Sequence, residues 1–257
     1  MTAPRFGIEI EFIHSDASQY DADLDEYTYG DYADELSEGA GVDVVYEDYN
    51  HGVRSHWKLT TDSSCGLELV SPPLTWPMRT LIRPVVNALR HSGAVLNQDC
   101  GFHVHHEWPW YGSESPDMEV RLQRIRGLYR MIERPILRDL FPPSRWENRF
   151  CRYTTAEEGY LFDDRYVDVN FCALGRQSTV EFRQHQGTMN YTKIVAWVEL
   201  TRMLTHAASV SGDYTDRQRL FSVFEKLTTT THNHLTARCP QYPAFLAALQ
   251  DHACLVH

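Results

Sequence analysis

Five short segments of the chain alternate apolar and polar residues one for one, and this restricts the fold more than any other feature. In FGIEIEF (6–12), Glu9 and Glu11 alternate with Ile8, Ile10 and Phe12. In GLELV (66–70), Glu68 stands between Leu67 and Leu69. CGFHVHHE (100–107) sets His103 and His105 against Phe102 and Val104, and YVDVNFC (166–172) sets Asp168 and Asn170 against Val167, Val169 and Phe171. TVEFRQH (179–185) sets Glu181, Arg183 and His185 against Val180, Phe182 and Gln184. Successive side chains of a strand point to opposite faces, so each segment reads as a strand with one apolar face. One such strand is an ordinary half-solvated strand. Five of them gather four glutamates, an aspartate, three histidines and an arginine on faces that are not core.

Helical periodicity falls between these strands. Apolar residues recur at three and four over 78–89, 118–137 and 191–204, and helices are also expected near 216–227 and 243–255. Pro77 suits a first turn, Pro84 is expected to kink the first helix, and Pro135 with Pro142 and Pro143 marks the end of the second. The order of elements is not a regular βαβ alternation. It implies an α+β fold, a mostly antiparallel sheet with helices on one face and an open polar face on the other. The expected organisation is a single domain over 1–257, with an acidic insertion at about 14–52 and a helical C-terminal part at about 209–257.

Of the 35 acidic residues, 12 lie between Asp16 and Asp48, and no Lys or Arg occurs between Arg5 and Arg54. The other 23 face 24 Lys and Arg, so the net charge of −11 belongs to this one segment. Its composition suggests a solvated, mobile excursion, or else a lid or dock for a cationic amine or basic partner. Such a chain is a poor candidate for nonspecific nucleic-acid binding. No run of eighteen apolar residues suggests a membrane span, and the first strand pattern begins too early for a signal peptide. The six cysteines form no C-x-x-C pair and are expected to be free thiols in a reducing cytoplasm, with Cys100 and Cys172 in the core.

Carboxylates gathered on one surface persist as anions only when cations neutralise them. Glu9, Glu11, Glu68, Glu181 and His103 form an oxygen-rich set without thiols, suited to Mg²⁺ or Mn²⁺ rather than structural zinc. Arg183 beside such ions suggests a phosphate partner, because guanidinium grips phosphate oxygens as a fork. Carboxylates, divalent cations and arginine together suit phosphoryl transfer from a nucleoside triphosphate, although no Gly-x-x-x-x-Gly-Lys loop is present. The plainer readings are solvated strand faces, and for Arg183 an ion pair with Glu181 or Asp168.

Four stretches in order, FGIEIEF (6–12), HWKLTTDSSCGLELVSPPL (56–74), NQDCGFHVHHE (97–107) and TVEFRQHQGT (179–188), resemble the amidoligase family, a branch of the glutamine synthetase-like carboxylate–amine ligases. The resemblance runs from about Phe6 to Trp197. It implies a glutamine synthetase-like catalytic domain that binds ATP with Mg²⁺ or Mn²⁺ on the open sheet face. Carried over, Glu9 shares a metal with His103 and Glu181, and Glu11 shares another with Glu68. His105 approaches the ATP phosphates, Arg183 holds the γ-phosphate, and Arg145 and Arg149 bind phosphate or substrate carboxylate. Arg183, His105 and Glu181 are then the catalytic residues.

The implied reaction joins a carboxylate to an amine, on a small molecule, a peptide or a protein side chain, through an acyl phosphate. A metal-dependent hydrolase of amides or phosphoesters and a non-catalytic nucleotide- or metal-binding protein stand as alternatives. Nucleotide dependence separates the first of these from a ligase. Neither the substrates, the base that deprotonates the amine nor the oligomeric state follows from the sequence.

Overall fold

The computed structural model describes residues 3–15, 26–62, 65–108, 117–154 and 164–254. The chain divides into two compact units, Met1–Glu107 with His185–Ile194 and Trp108–Gln184 with Val195–His257.

The first unit is built on strand β1 (Arg5–His14). Strands β4 (Gly66–Val70) and β7 (Gly101–Glu107) flank it, both antiparallel. Strand β3 (Trp57–Asp62) pairs antiparallel with β4, and β2 (Val44–Tyr46) pairs parallel with β3. The short strands β5 (Leu74–Thr75) and β6 (Ala94–Val95) pair with the two ends of β1. The mostly antiparallel sheet expected from the alternation is therefore present. Its apolar face is core: Phe6, Ile8, Ile10, Phe12, Leu67, Leu69, Phe102 and Val104 are each at most 2% exposed.

Two helices of this unit, α1 (Glu26–Ala40) and α2 (Ile82–His91), supply apolar cover. Tyr32 of α1 lies 6.2 Å from the Phe12 ring, centroid to centroid, and its hydroxyl is 2.8 Å from Ser92 Oγ just beyond α2. A Cβ on Gly39 would stand 3.2 Å from Ala88 Cβ, so glycine there lets the two helices approach closely. The second half of the acidic segment is thus part of the fold and not the solvated excursion that its charge suggested. The reason is a narrow stripe: Tyr32, Ala33, Leu36 and Ala40 are buried on one side of α1, while Asp31, Asp34 and Glu38 remain exposed on the other. Residues 16–25 lie outside the described ones.

Two further expectations are corrected in this unit. The helix expected over 78–89 is a 3₁₀ turn (Trp76–Leu81) followed by α2. Pro84 is the third residue of α2, where its missing N–H has no intrahelical partner to lose, so it starts the helix instead of kinking it. Cys65 and Cys100, expected as free thiols, form a disulfide with Cα atoms 5.5 Å apart. They stand just before β4 and β7, and the two strands flanking β1 bring their ends together.

In the second unit, α3 (Met118–Met131) runs on into a π turn (Glu133–Leu137). There Ile136 and Leu137 both donate to the Ile132 carbonyl, each at 3.1 Å. Pro135 sits inside that turn, and the wider ring accommodates a residue with no N–H. Short helices α4 (Arg138–Leu140) and α5 (Pro143–Trp146) follow. Strand β8 (Val169–Asn170), helix α6 (Ala173–Gln177) and strand β9 (Thr179–Gln186) come next, with β8 antiparallel to β9. The C-terminal part is helical as expected: α7 (Tyr191–Ser209), α8 (Asp216–Glu225), α9 (Thr229–Arg238) and α10 (Tyr242–Cys254). Helix α9 was not foreseen in the threonine run 228–231; Thr228 is its N-cap, accepting from the Thr231 N–H. Among the described residues no helix is long and apolar enough to cross a membrane.

Candidate active site

Register decides which polar residues meet. Glu9 pairs with His103 across β1 and β7, and Glu11 pairs with Glu68 across β1 and β4. Directly opposed residues share a face, so Glu9, Glu11, Glu68, His103 and His105 all stand on the face opposite the core. That face is only partly open to water: Glu11 is 4% exposed, His103 3% and His105 8%, while Glu9 and Glu68 are half-buried.

Buried ionisable groups need partners. His103 Nδ1 is 3.1 Å from Glu9 Oε2, and its Nε2 is 3.4 Å from Glu11 Oε1. His105 Nε2 is 3.1 Å from Glu9 Oε1, and the Gly101 N–H donates to Glu11 Oε2 at 2.5 Å. Burial disfavours the charge on Glu9, but the imidazoles of His105 and His103 overcome that and hold its carboxyl well below the usual carboxylate range. Single ligand atoms of Glu9, Glu68 and His103 lie within 4.8 Å of one another. Ligands of one ion at ~2.0–2.5 Å are separated by about 3–5 Å, so these residues fit a hard divalent cation with little rearrangement. The donor set, carboxylate with imidazole and no thiol, suits Mg²⁺ or Mn²⁺.

Two residues on this face carried no assigned role in the sequence reading. Lys58 and Thr60 of β3 share it, since Thr60 pairs with Glu68 and Lys58 with Val70. Lys58 is 3% exposed and Thr60 4%. Lys58 Nζ donates to the carbonyls of Asn50 and Gly52, and Thr60 Oγ1 donates to the Asp48 carbonyl. The segment 48–52 is thereby tied to the edge of the face. The signal was legible, because Lys58, Thr60 and Asp62 alternate with Trp57, Leu59 and Thr61, but Thr61 blurs the contrast.

The remaining candidates belong to the second unit. Glu181 is 3% exposed, accepts from Asn170 Nδ2 at 2.6 Å and is bound directly by Arg183 Nη1. Arg183 Nε also donates to the Phe150 carbonyl at 3.2 Å. Arg145 is buried and spends its donors on the backbone of β9, on the carbonyls of Gln184 (3.2 Å) and Arg183 (2.8 Å). Arg149 is exposed and stacks 4.6 Å from the centre of the Phe150 ring. Asp168 faces Arg130 Nη1 at 2.7 Å and accepts from Thr154 Oγ1 at 3.0 Å. His185, read as one row with Glu181 and Arg183, belongs to the first unit, where its ring stands edge-on to the core residue Phe102 at 5.5 Å.

A mostly antiparallel sheet that gathers carboxylates and imidazoles on the face away from its core defines the class: an α+β protein with a polar, acid- and histidine-rich sheet face. A sequence model of the family described as "Putative amidoligase enzyme" matches residues 2–159 and 142–205. The chain belongs to this family. A comparison with curated proteins gives no match. Among solved structures, a chain of the crystal structure of the complex between prokaryotic ubiquitin-like protein Pup and its ligase PafA is similar, with 11% identity and a TM-score of 0.41. The match covers 97% of this chain and 64% of that one, so this chain spans somewhat under two thirds of that protein's length.

Proposed function

We propose that the chain is an ATP-dependent carboxylate–amine ligase with Mg²⁺ or Mn²⁺ as cofactor. The observation that carries this reading is the set Glu9, Glu11, Glu68, His103 and His105 on one sheet face, with Glu11 and both histidines buried and Glu9 and Glu68 half-buried, in a chain of the amidoligase family. Glu9, Glu68 and His103 would hold a divalent cation, with Glu11 beside them. Glu181 and Arg183 keep the metal-ligand and phosphate roles that the family resemblance gives them. Bound cations supply Lewis-acid neutralisation of phosphate charge.

In the first step a carboxylate oxygen of the substrate attacks the γ-phosphorus of ATP. The bond to the bridging oxygen breaks, ADP leaves and an acyl phosphate remains. In the second step an amine nitrogen attacks the acyl carbon, inorganic phosphate leaves, and the nitrogen gives up a proton to complete the amide. Arg183 is suited to the first step because its planar fork matches phosphate oxygens. The guanidinium pairs with Glu181 in this structure, so taking a phosphate would loosen that pair and free the carboxylate for a cation. Burial of the carboxylates lowers the local dielectric and strengthens each of these interactions.

The test is ADP release and mass detection of the amide, from pools of carboxylates and amines, for wild type, Glu68→Gln and Glu181→Gln. Each variant keeps side-chain size and loses the charge. Activity is expected to fall by about 10²–10³. Full activity in Glu181→Gln removes that residue from the metal set. Turnover of an amide or ester by wild type without nucleotide replaces the ligase reading with a hydrolase.

A further inference from the structure

Lys58 is a buried ammonium on the same face as the carboxylates. Its hydrogen-bond acceptors, the carbonyls of Asn50 and Gly52, are neutral. They satisfy its donors but do not cancel its charge, and a buried charge without compensation is costly. Compensation comes from across β3 and β4. Glu68 is the diagonal neighbour of Lys58 in the ladder, at roughly 7–8 Å between backbones and within reach of a long side chain. Burial pushes the Lys58 ammonium toward neutrality, while Glu68, then Glu9, then Glu47 pull it back and Arg54 opposes them. Glu47 is largely engaged elsewhere: it holds Arg54 at 2.7 Å and His56 at 2.7 Å. Glu68 and Glu9 therefore carry most of the attraction, and both belong to the group of ligand atoms that lies within 4.8 Å.

We infer that Lys58 is the built-in counter-ion of the carboxylates Glu9 and Glu68, and that a divalent cation entering this face competes with it. In the absence of metal, the ammonium stands beside the carboxylates on the same face and offsets part of the repulsion between Glu9 on β1 and Glu68 on β4. When a cation arrives, ammonium and metal repel each other across the same two carboxylates. Lys58 thereby weakens metal binding, and it links metal occupancy to the segment 48–52 that hangs from its Nζ. The residue positions charge and forms no bond to a reacting atom. This inference rests on the proposal that the face binds divalent cations, and the experiment separates the two.

Mn²⁺ binding to the full chain is measured by electron paramagnetic resonance and calorimetry for wild type, Lys58→Gln and Lys58→Arg. Glutamine keeps an N–H donor for the carbonyls and removes the charge; arginine keeps both. Lys58→Gln is expected to bind Mn²⁺ about tenfold more tightly and Lys58→Arg to match wild type. Equal or weaker binding by folded Lys58→Gln overturns the inference and leaves Lys58 as a tether for the 48–52 segment. Tighter binding by Lys58→Arg overturns it as well, because charge would not be the cause. If wild type binds no Mn²⁺, the metal reading and this inference fail together. Should Lys58→Gln not fold, the Lys58 Nζ resonance of wild type decides: it is expected to shift on Mg²⁺ saturation, and an unmoved resonance overturns the inference.

Discussion

Asp168 shows at the scale of one residue what burial demands of a charge. Its alternation with Val167 and Val169 placed it among the polar-face residues, and its neighbour Asn170 does meet Glu181. Asp168 itself is fully buried and is consumed by Arg130, by Thr154 and by the N–H of Val169 at 2.9 Å. Its role is structural. Asp168→Asn leaves the Arg130 guanidinium without its counter-charge, and breaking such a pair typically costs about 3–5 kcal/mol. Urea unfolding is expected to show that loss, with Asp168→Asn/Arg130→Met nearer to wild type than Asp168→Asn alone. A loss under about 1 kcal/mol would show that water replaces the missing carboxylate. Which side chains alternate was legible in the sequence here. Which of two acids in adjacent strands faces a helix arginine was not, because that depends on a partner some forty residues away.

At the scale of elements, short-range signals held where one residue type dominated and failed where two competed. The strands β1, β4, β7 and β9 follow the alternation. Helix α1 was hidden because its acids outnumber the apolar stripe, and α9 because a threonine run has low helix propensity until Thr228 caps it. The pairing of Cys65 and Cys100 is an element-level fact too. It fastens the starts of β4 and β7, which are adjacent only because both pair with β1. A cross-link that closes 35 residues restricts the unfolded chain by up to about 4 kcal/mol. Peptide mapping without reductant is expected to find the 65–100 link, and reduction to lower the midpoint of unfolding. Alkylation of both thiols in the untreated folded protein would show that they stay reduced.

At the scale of the whole molecule, the concentration of negative charge and the carboxylate face make stability a reporter of cation binding. A ligand that binds only the folded state adds about 2.7 kcal/mol at a hundredfold excess over its dissociation constant. Mn²⁺ or Mg²⁺ is therefore expected to raise the thermal midpoint reversibly, with the gain abolished by a chelator and much reduced in Glu9→Gln. An identical midpoint with and without metal would remove the cation site from the first unit. NaCl at the same ionic strength is the control, since screening alone relieves repulsion among the exposed acids of α1.

The sequence by itself determined the faces of the strands and the residue types on them, because a period of two is a local property of an extended backbone. It also determined the helical C-terminal part and the family resemblance, which rests on four ordered stretches. Only the tertiary structure decided which atoms meet. The β1–β7 register sets Glu9 against His103, the β3–β4 ladder brings Lys58 toward Glu68, and strand order brings Cys65 to Cys100. Register and burial arise from contacts between strands: Glu9 and His103, and Cys65 and Cys100, lie far apart in the chain, and even Lys58 and Glu68, which share one short stretch, approach only through the β3–β4 ladder. Burial is also what turned a row of polar residues, expected to face water, into a set of groups that must satisfy one another.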